Sequence, residues 1–85
     1  MNLGFTLLRN DAECNSNDLD LGIKTSVEEC ASACQSRNGC KFFIYGIGTK
    51  AGKCYWEYTT TEDCSAEGWM DDYYNFYRLG MRSLS

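Results

Sequence analysis

Six cysteines in a chain of 85 residues constrain this sequence more than any other feature. A core of this size offsets the entropy of folding only narrowly, so covalent cross-links are expected. The cysteines are Cys14, Cys30, Cys34, Cys40, Cys54 and Cys64, separated by 15, 3, 5, 13 and 9 residues. Their number is even, and the Cys-x-x-Cys spacing typical of zinc sites is absent. The pattern therefore favours disulfides, and with them an oxidising compartment, over a metal site.

The composition excludes several classes of function. The chain has no histidine, which removes His-based acid–base catalysis, His-activated nucleophiles and histidine-ligated zinc. We therefore expect no enzymatic activity, no cofactor and no metal centre. A net charge of −4 makes nucleic acid and anionic membranes unfavourable partners. No apolar run approaches the roughly 18 residues of a membrane span, so no membrane insertion is expected.

The start of the chain does not have the features of a signal peptide. It lacks a charged beginning, a long apolar stretch and a small-residue cleavage site. Because the cysteines nonetheless require oxidising conditions, we expect a mature or excised segment of a secreted, extracellular protein, with Met1 as an added initiator.

Hydrophobic alternation predicts four strands. They cover residues 3–9, 41–47, 53–58 and 73–79, and the second and third form a hairpin around a turn at 48–52. The polar segments 10–20 and 59–72 are predicted to be loops.

One helix is predicted between the first strand and the hairpin. Ser26 and Glu29 form a capping box at its beginning, and apolar residues follow at helical spacing. Gly39 is expected to end the helix in a left-handed conformation. The result is an α+β fold, with one helix against an antiparallel sheet. We expect a single domain over residues 1–79 and a short tail or linker over 80–85.

The positions of the cysteines favour one pairing. Cys30 and Cys34 lie one turn apart on the helix and are poorly placed to bond each other. Cys34–Cys40 closes a short loop past the helix, Cys30–Cys54 joins the helix to the returning strand, and Cys14–Cys64 remains to tie the two long loops together. Six cysteines permit fifteen pairings, so this one is a hypothesis.

Four segments resemble the PAN/Apple domain family. They are residues 26–34 (SVEECASAC), 39–46 (GCKFFIYG), 52–55 (GKCY) and 75–79 (NFYRL). They match a helix with two cysteines four apart, a Cys-x-x-Phe-x-Tyr strand, a Gly-x-Cys strand and a closing aromatic strand. The resemblance extends over about residues 3–79, nearly the whole chain.

The resemblance implies a helix cradled by a curved antiparallel sheet, with the same nested disulfide pairing. It also implies an extracellular adhesion module that binds proteins or carbohydrates and has no catalytic activity. The basic patches by which some members bind heparin have no counterpart here, where twelve acids outnumber eight basic residues.

Aromatic residues are the main candidates for ligand contact. Twelve of the 85 residues are Phe, Tyr or Trp. Phe43, Tyr45 and Tyr77 match the packing positions of the family, and Trp56 shares a strand face with Cys54, so we expect these four side chains in the core. Trp69 lies in a polar loop where no periodicity requires it, and it is either a platform for a ligand or an anchor for the loop.

Acidic residues crowd the same loop as Trp69. They are Glu62, Asp63, Glu67, Asp71 and Asp72. Carboxylates beside an aromatic ring can form a sugar subsite, and clustered oxygens can bind calcium. Their spacing fits no EF-hand, and the simplest interpretation is a solvated loop.

We therefore predict a non-enzymatic recognition module for an extracellular glycan or protein. The candidate ligand-binding residues are Trp69, Asp71, Asp72 and Tyr73. The alternative is a structural subunit of a larger extracellular assembly, which packs through its aromatic face on other copies or other domains. A large exposed apolar patch would favour the assembly, and isolated exposed rings would favour the recognition module.

Overall fold

Seven strands and one α-helix make up residues 3–81, the part of the chain that the computed structural model describes. The strands are β1 (Leu3–Arg9), β2 (Ala12–Cys14), β3 (Asp18–Ile23), β4 (Phe42–Gly46), β5 (Lys53–Glu57), β6 (Trp69–Asp71) and β7 (Tyr74–Met81), and the helix is α1 (Val27–Gln35). Five strands form an antiparallel sheet in the order β1-β7-β4-β5-β3, and β2 pairs with β6 in a separate sheet. The α+β class is confirmed.

The helix begins where the capping residues predict. The Ser26 hydroxyl accepts the backbone N–H of Glu29, and the Glu29 carboxylate accepts the N–H of Thr25. The helix ends at Gln35, with Ser36 as its C-cap. Gly39 has a φ of 92° and, instead of capping the helix, turns the chain toward Cys40 and β4.

The middle of the main sheet is buried on both faces. Phe43 packs with the helix cysteines on one face, in a cluster that Tyr45, Trp56 and Tyr77 border as partly buried neighbours. On the other face Phe42, Ile44 and Phe76 pack in a second cluster, together with Cys14 and Cys64. The core positions expected from the sequence are thus confirmed for the helix face, with Phe43 fully buried.

The second face is covered by the small β2–β6 sheet, which the sequence analysis missed. Segments 10–20 and 59–72, both predicted as loops, contain β2, the beginning of β3 and β6. A three-residue strand is too short to produce a detectable alternation, and the pairing of β2 with β6 joins residues more than fifty positions apart. The last strand is also longer than predicted, because Gly80 and Met81, assigned to the tail, pair with β1. Residues 82–85 lie outside the described residues.

Three disulfides join the elements, and all three were predicted. Cys30–Cys54 links α1 to β5, Cys34–Cys40 closes the segment after the helix, and Cys14–Cys64 links β2 to the segment before β6. Each layer is therefore covalently attached to another part of the chain. The helix described here, of nine residues, is too short to cross a membrane.

We predict that removing Cys30–Cys54 destabilises the domain more than removing Cys34–Cys40. The two bonds close sequence separations of 24 and 6 residues. Loop-closure entropy gives about 3.5 and about 2 kcal/mol for them. Urea unfolding of the Cys30→Ala/Cys54→Ala and Cys34→Ala/Cys40→Ala proteins measures the difference. Equal losses, or a larger loss for the short loop, would contradict this ranking.

Candidate functional site

A cleft open to solvent lies beside the β2–β6 sheet. Asp11, Asp71, Asp72 and Tyr73 line it, and it encloses about 460 Å³. We call it the acidic cleft. Three of the four candidate ligand-binding residues line this cleft, and Asp11 joins them from a distant part of the sequence.

The pairing of β2 with β6 assembles the acidic cleft. Ala12 lies opposite Asp71, and the backbone N–H of Asp72 donates to the carbonyl of Asp11 at 3.2 Å. Asp11 adopts a left-handed φ of 58°, a conformation that Asp tolerates better than most residues, and this turns the chain from β1 into β2. The cleft thus exists only when these two segments meet.

Hydrogen bonds position the Asp72 side chain, and Gly48 borders the ring of Tyr73. The carboxylate of Asp72 accepts from Lys50 Nζ at 2.6 Å and from the backbone N–H of Tyr73 at 2.7 Å. A hydrogen bond with Glu13, followed by those from Lys50 and from the backbone of Tyr73, lowers the pKa of Asp72 to about 2. The Tyr73 side chain is 54% exposed, and one edge of its ring faces Gly48, where an added Cβ would lie 3.3 Å from the ring. Tyr73 therefore presents an aromatic surface to solvent next to a carboxylate that is ionised at neutral pH.

Trp69, the fourth candidate, does not line the acidic cleft. Its ring packs edge-on against Phe76 with the ring centroids 4.9 Å apart, and the guanidinium of Arg9 lies 4.8 Å from its centroid. Trp69 is a partly buried neighbour of the second core cluster. These contacts correspond to the anchoring role that the sequence analysis left open.

A second groove lies at the carboxyl end of β5. It encloses about 240 Å³ and is lined by Gly39, Lys41, Trp56, Tyr58, Thr59 and Thr60. We call it the aromatic groove, because the rings of Trp56 and Tyr58 meet edge to face in it at 4.7 Å. It offers a second surface with aromatic and hydroxyl groups.

The acids of the predicted loop do not converge on one point. Glu62 pairs with Arg78, Asp63 accepts the N–H of Ser65, and Glu67 accepts the hydroxyl of Thr59. Glu67 also lies near the sulfurs of Cys14 and Cys64, but a disulfide offers no thiolate to a metal.

Three other acids meet instead, and none of them is among the site residues predicted from the sequence. Glu13 on β2, Asp18 on β3 and Glu57 on β5 each place a carboxylate oxygen within 4.8 Å of the others. We call this group the buried acid cluster, because Glu57 is 0% exposed. Glu57 alternates with Trp56 along β5, so the sequence pattern alone places it toward solvent. Only the β2–β6 layer on that face buries it.

Burial raises the pKa values of this cluster. Loss of solvent raises the pKa of Glu57 to about 8, although the hydroxyl of Ser16 donates to its Oε1 at 2.7 Å and opposes the shift. Burial, and then a hydrogen bond with Asp72, raise the pKa of Glu13 to about 7. The pKa of Asp18 is also raised, by burial and by Asp20. Without a compensating charge, the cluster therefore retains protons at neutral pH.

We predict that the metal-free protein loses stability as the pH rises. The folded pKa of Glu57, about 8, exceeds its ordinary value of 4.5, so the folded state holds a proton that the unfolded chain has released. The stabilisation that this proton gives the folded state is complete below pH 4.5. It is lost as the pH rises from about 4.5 to about 8, at up to about 1.4 kcal/mol of unfolding free energy per pH unit.

The measurement is the free energy of unfolding in urea, determined at a series of pH values between about 4.5 and about 8 in metal-free buffer. Glu57→Gln keeps the side-chain volume and an acceptor for Ser16, and should flatten the profile. Glu62→Gln, which removes an exposed carboxylate, is the control and should keep the slope of the original protein. An unchanged slope in Glu57→Gln would refute the assignment.

Comparison with known proteins identifies the family. The family model described as PAN domain matches residues 5–77, which is most of the chain. A search of the curated proteins and a search of the solved structures returned no match. The matched region contains all three disulfides and spans from β1 into β7. With its single helix on an antiparallel sheet and its nested disulfides, this chain belongs to the PAN domain family.

Proposed function

We propose that this chain is a non-enzymatic, extracellular recognition module that binds carbohydrate in the acidic cleft. PAN domains are in general interaction modules for proteins or carbohydrates, and the match over residues 5–77 supports that broad role. The observation that carries the narrower proposal is the exposed ring of Tyr73 in a cleft of about 460 Å³ lined by three carboxylates.

The chemistry of the acidic cleft suits a sugar. An exposed tyrosine ring can stack on the apolar C–H face of a pyranose, and carboxylates accept hydrogen bonds from its hydroxyl groups. Asp72 is already engaged by Lys50 and by the backbone of Tyr73. Asp71 and Asp11, both exposed, are therefore the proposed hydroxyl acceptors. Trp69 anchors β6, the strand that also carries Asp71, through its contacts with Phe76 and Arg9.

An extracellular location agrees with the covalent structure. All six cysteines are bonded, and such a disulfide density persists in oxidising compartments. A recognition role without catalysis agrees with the absence of histidine and of any reduced cysteine among the described residues.

The distribution of exposed apolar residues supports recognition over assembly through one aromatic face. Leu7 on β1 and Ile23 on β3 are both exposed, and these strands are the opposite edges of the main sheet. Tyr58 and Tyr73 belong to different clefts. Exposed rings are thus separated among several sites, as in a module that contacts a ligand through individual rings.

We predict that Tyr73→Ala weakens glycan binding at least tenfold. The change removes the stacking surface and leaves the fold intact, because this side chain is mostly exposed. Binding is measured on a glycan array and then by titration calorimetry with the glycan selected. Tyr58→Ala, which removes another exposed tyrosine ring from the aromatic groove, is the matched control and should bind as the original protein does.

The opposite pattern, loss in Tyr58→Ala and retention in Tyr73→Ala, would place the site in the aromatic groove and refute the acidic cleft. If the original protein binds no glycan, the carbohydrate proposal fails, and sedimentation analysis then tests for self-association.

A further inference from the structure

The buried acid cluster has the geometry of a cation site. Its carboxylates come from three strands, β2, β3 and β5, and an oxygen of each lies within 4.8 Å of the others. Two oxygens on opposite sides of one calcium ion are at most about 4.8 Å apart, because each lies about 2.4 Å from the ion. Each pair of oxygens in the cluster is therefore within the separation that two ligands of one calcium ion can have.

An unpartnered oxygen points independently to a missing ligand. Glu57 is completely buried, and the hydroxyl of Ser16 satisfies only its Oε1. Its Oε2 is buried without any hydrogen-bond partner. A buried acceptor left in this way costs free energy unless a donor or a cation reaches it.

No side chain in the described part of the chain forms an ion pair with a member of the cluster. Within residues 3–81 the ion pairs are Lys50–Asp72 and Arg78–Glu62, and neither includes a member of the cluster. Lys50 forms its ion pair with Asp72, which shares a hydrogen bond with Glu13, and its own attraction for Glu13 is weaker than the effects of burial and of Asp72. Three carboxylates thus meet in a mostly buried place with no cationic partner of their own.

We infer that the buried acid cluster binds Ca²⁺ through Glu13, Asp18 and Glu57. All of its donors are oxygens, which hard cations prefer, and the thiolate and imidazole ligands of zinc are lacking in the described chain. Ca²⁺ accepts irregular sets of six to eight oxygens, whereas Mg²⁺ demands a near-octahedral shell. Carboxylates from three strands, with water in the remaining positions, fit the calcium pattern. Asp18 is exposed and Glu13 half-buried, so the ion can enter from their side.

The test is calorimetric titration of the oxidised, metal-free protein with CaCl₂ at neutral pH and physiological ionic strength. We expect one site with a Kd of about 10⁻⁴–10⁻³ M, the range of extracellular calcium modules. At tenfold excess over Kd the Tm should rise by roughly 5–10 °C. MgCl₂ at the same concentration should produce a much smaller rise.

Two variants locate the site. Glu57→Gln and Glu13→Gln each replace one ligand at constant volume and should weaken binding at least tenfold. Glu28→Gln removes an exposed carboxylate from the helix, with the same change in net charge, and should bind as the original protein does. Circular dichroism confirms that each variant is folded, so a lost response is a lost ligand.

Three results would overturn the inference. The first is the absence of any calcium-dependent heat or Tm rise in the original protein. The second is an equal response to Mg²⁺, which would refute the choice of calcium. The third is undiminished binding in both Glu57→Gln and Glu13→Gln, which would place the ion elsewhere. Because the glycan experiment depends on Tyr73 and not on these acids, either proposal can fail without the other.

Discussion

Burial of β4 on both of its faces is the constraint on which the rest of this structure depends. The helix α1 covers Phe43 on one face of β4, and the Cys30–Cys54 bond holds that helix against the neighbouring strand β5. Phe42 and Ile44 require a cover on the other side. A single helix cannot cover both faces of a sheet, so the chain uses the small β2–β6 sheet and the Cys14–Cys64 bond to close the second one.

The β2–β6 sheet also changes the pKa values of acids on the face that it covers. By covering that face it removes Glu57 from solvent and brings Glu13 to the pair that Asp18 and Glu57 form across β3 and β5, and burial raises the pKa values of all three acids. The same layer places Asp11 beside Asp71 and opens the acidic cleft. The hydrogen bond between Glu13 and Asp72 connects the cluster to the cleft. One packing requirement of the core thus creates both of the candidate sites.

Prediction from the sequence was accurate where the signals were local or covalent. The capping residues Ser26 and Glu29 located the beginning of the helix, and the spacing of the cysteines along that helix led to the correct pairing. For the candidate site the outcome was mixed. Asp71, Asp72 and Tyr73 do line a common cleft, because they are neighbours in sequence. Trp69 does not line it, because its ring packs against Phe76 on the β7 strand.

The sequence by itself determined the α+β class, the disulfide framework and the family, because each depends on residue types at short or regular spacing. Only the tertiary structure decided that Glu57 is buried, that it meets Glu13 and Asp18, and that Asp11 completes the cleft. These facts depend on strand pairings between distant segments, namely β3 with β5, which places Asp18 opposite Glu57, and the two three-residue strands β2 and β6, which pair over one face of the sheet. Alternation along β5 predicts which residues share a face of that strand. Whether that face is exposed to solvent or buried depends on which other segments of the chain pack against it.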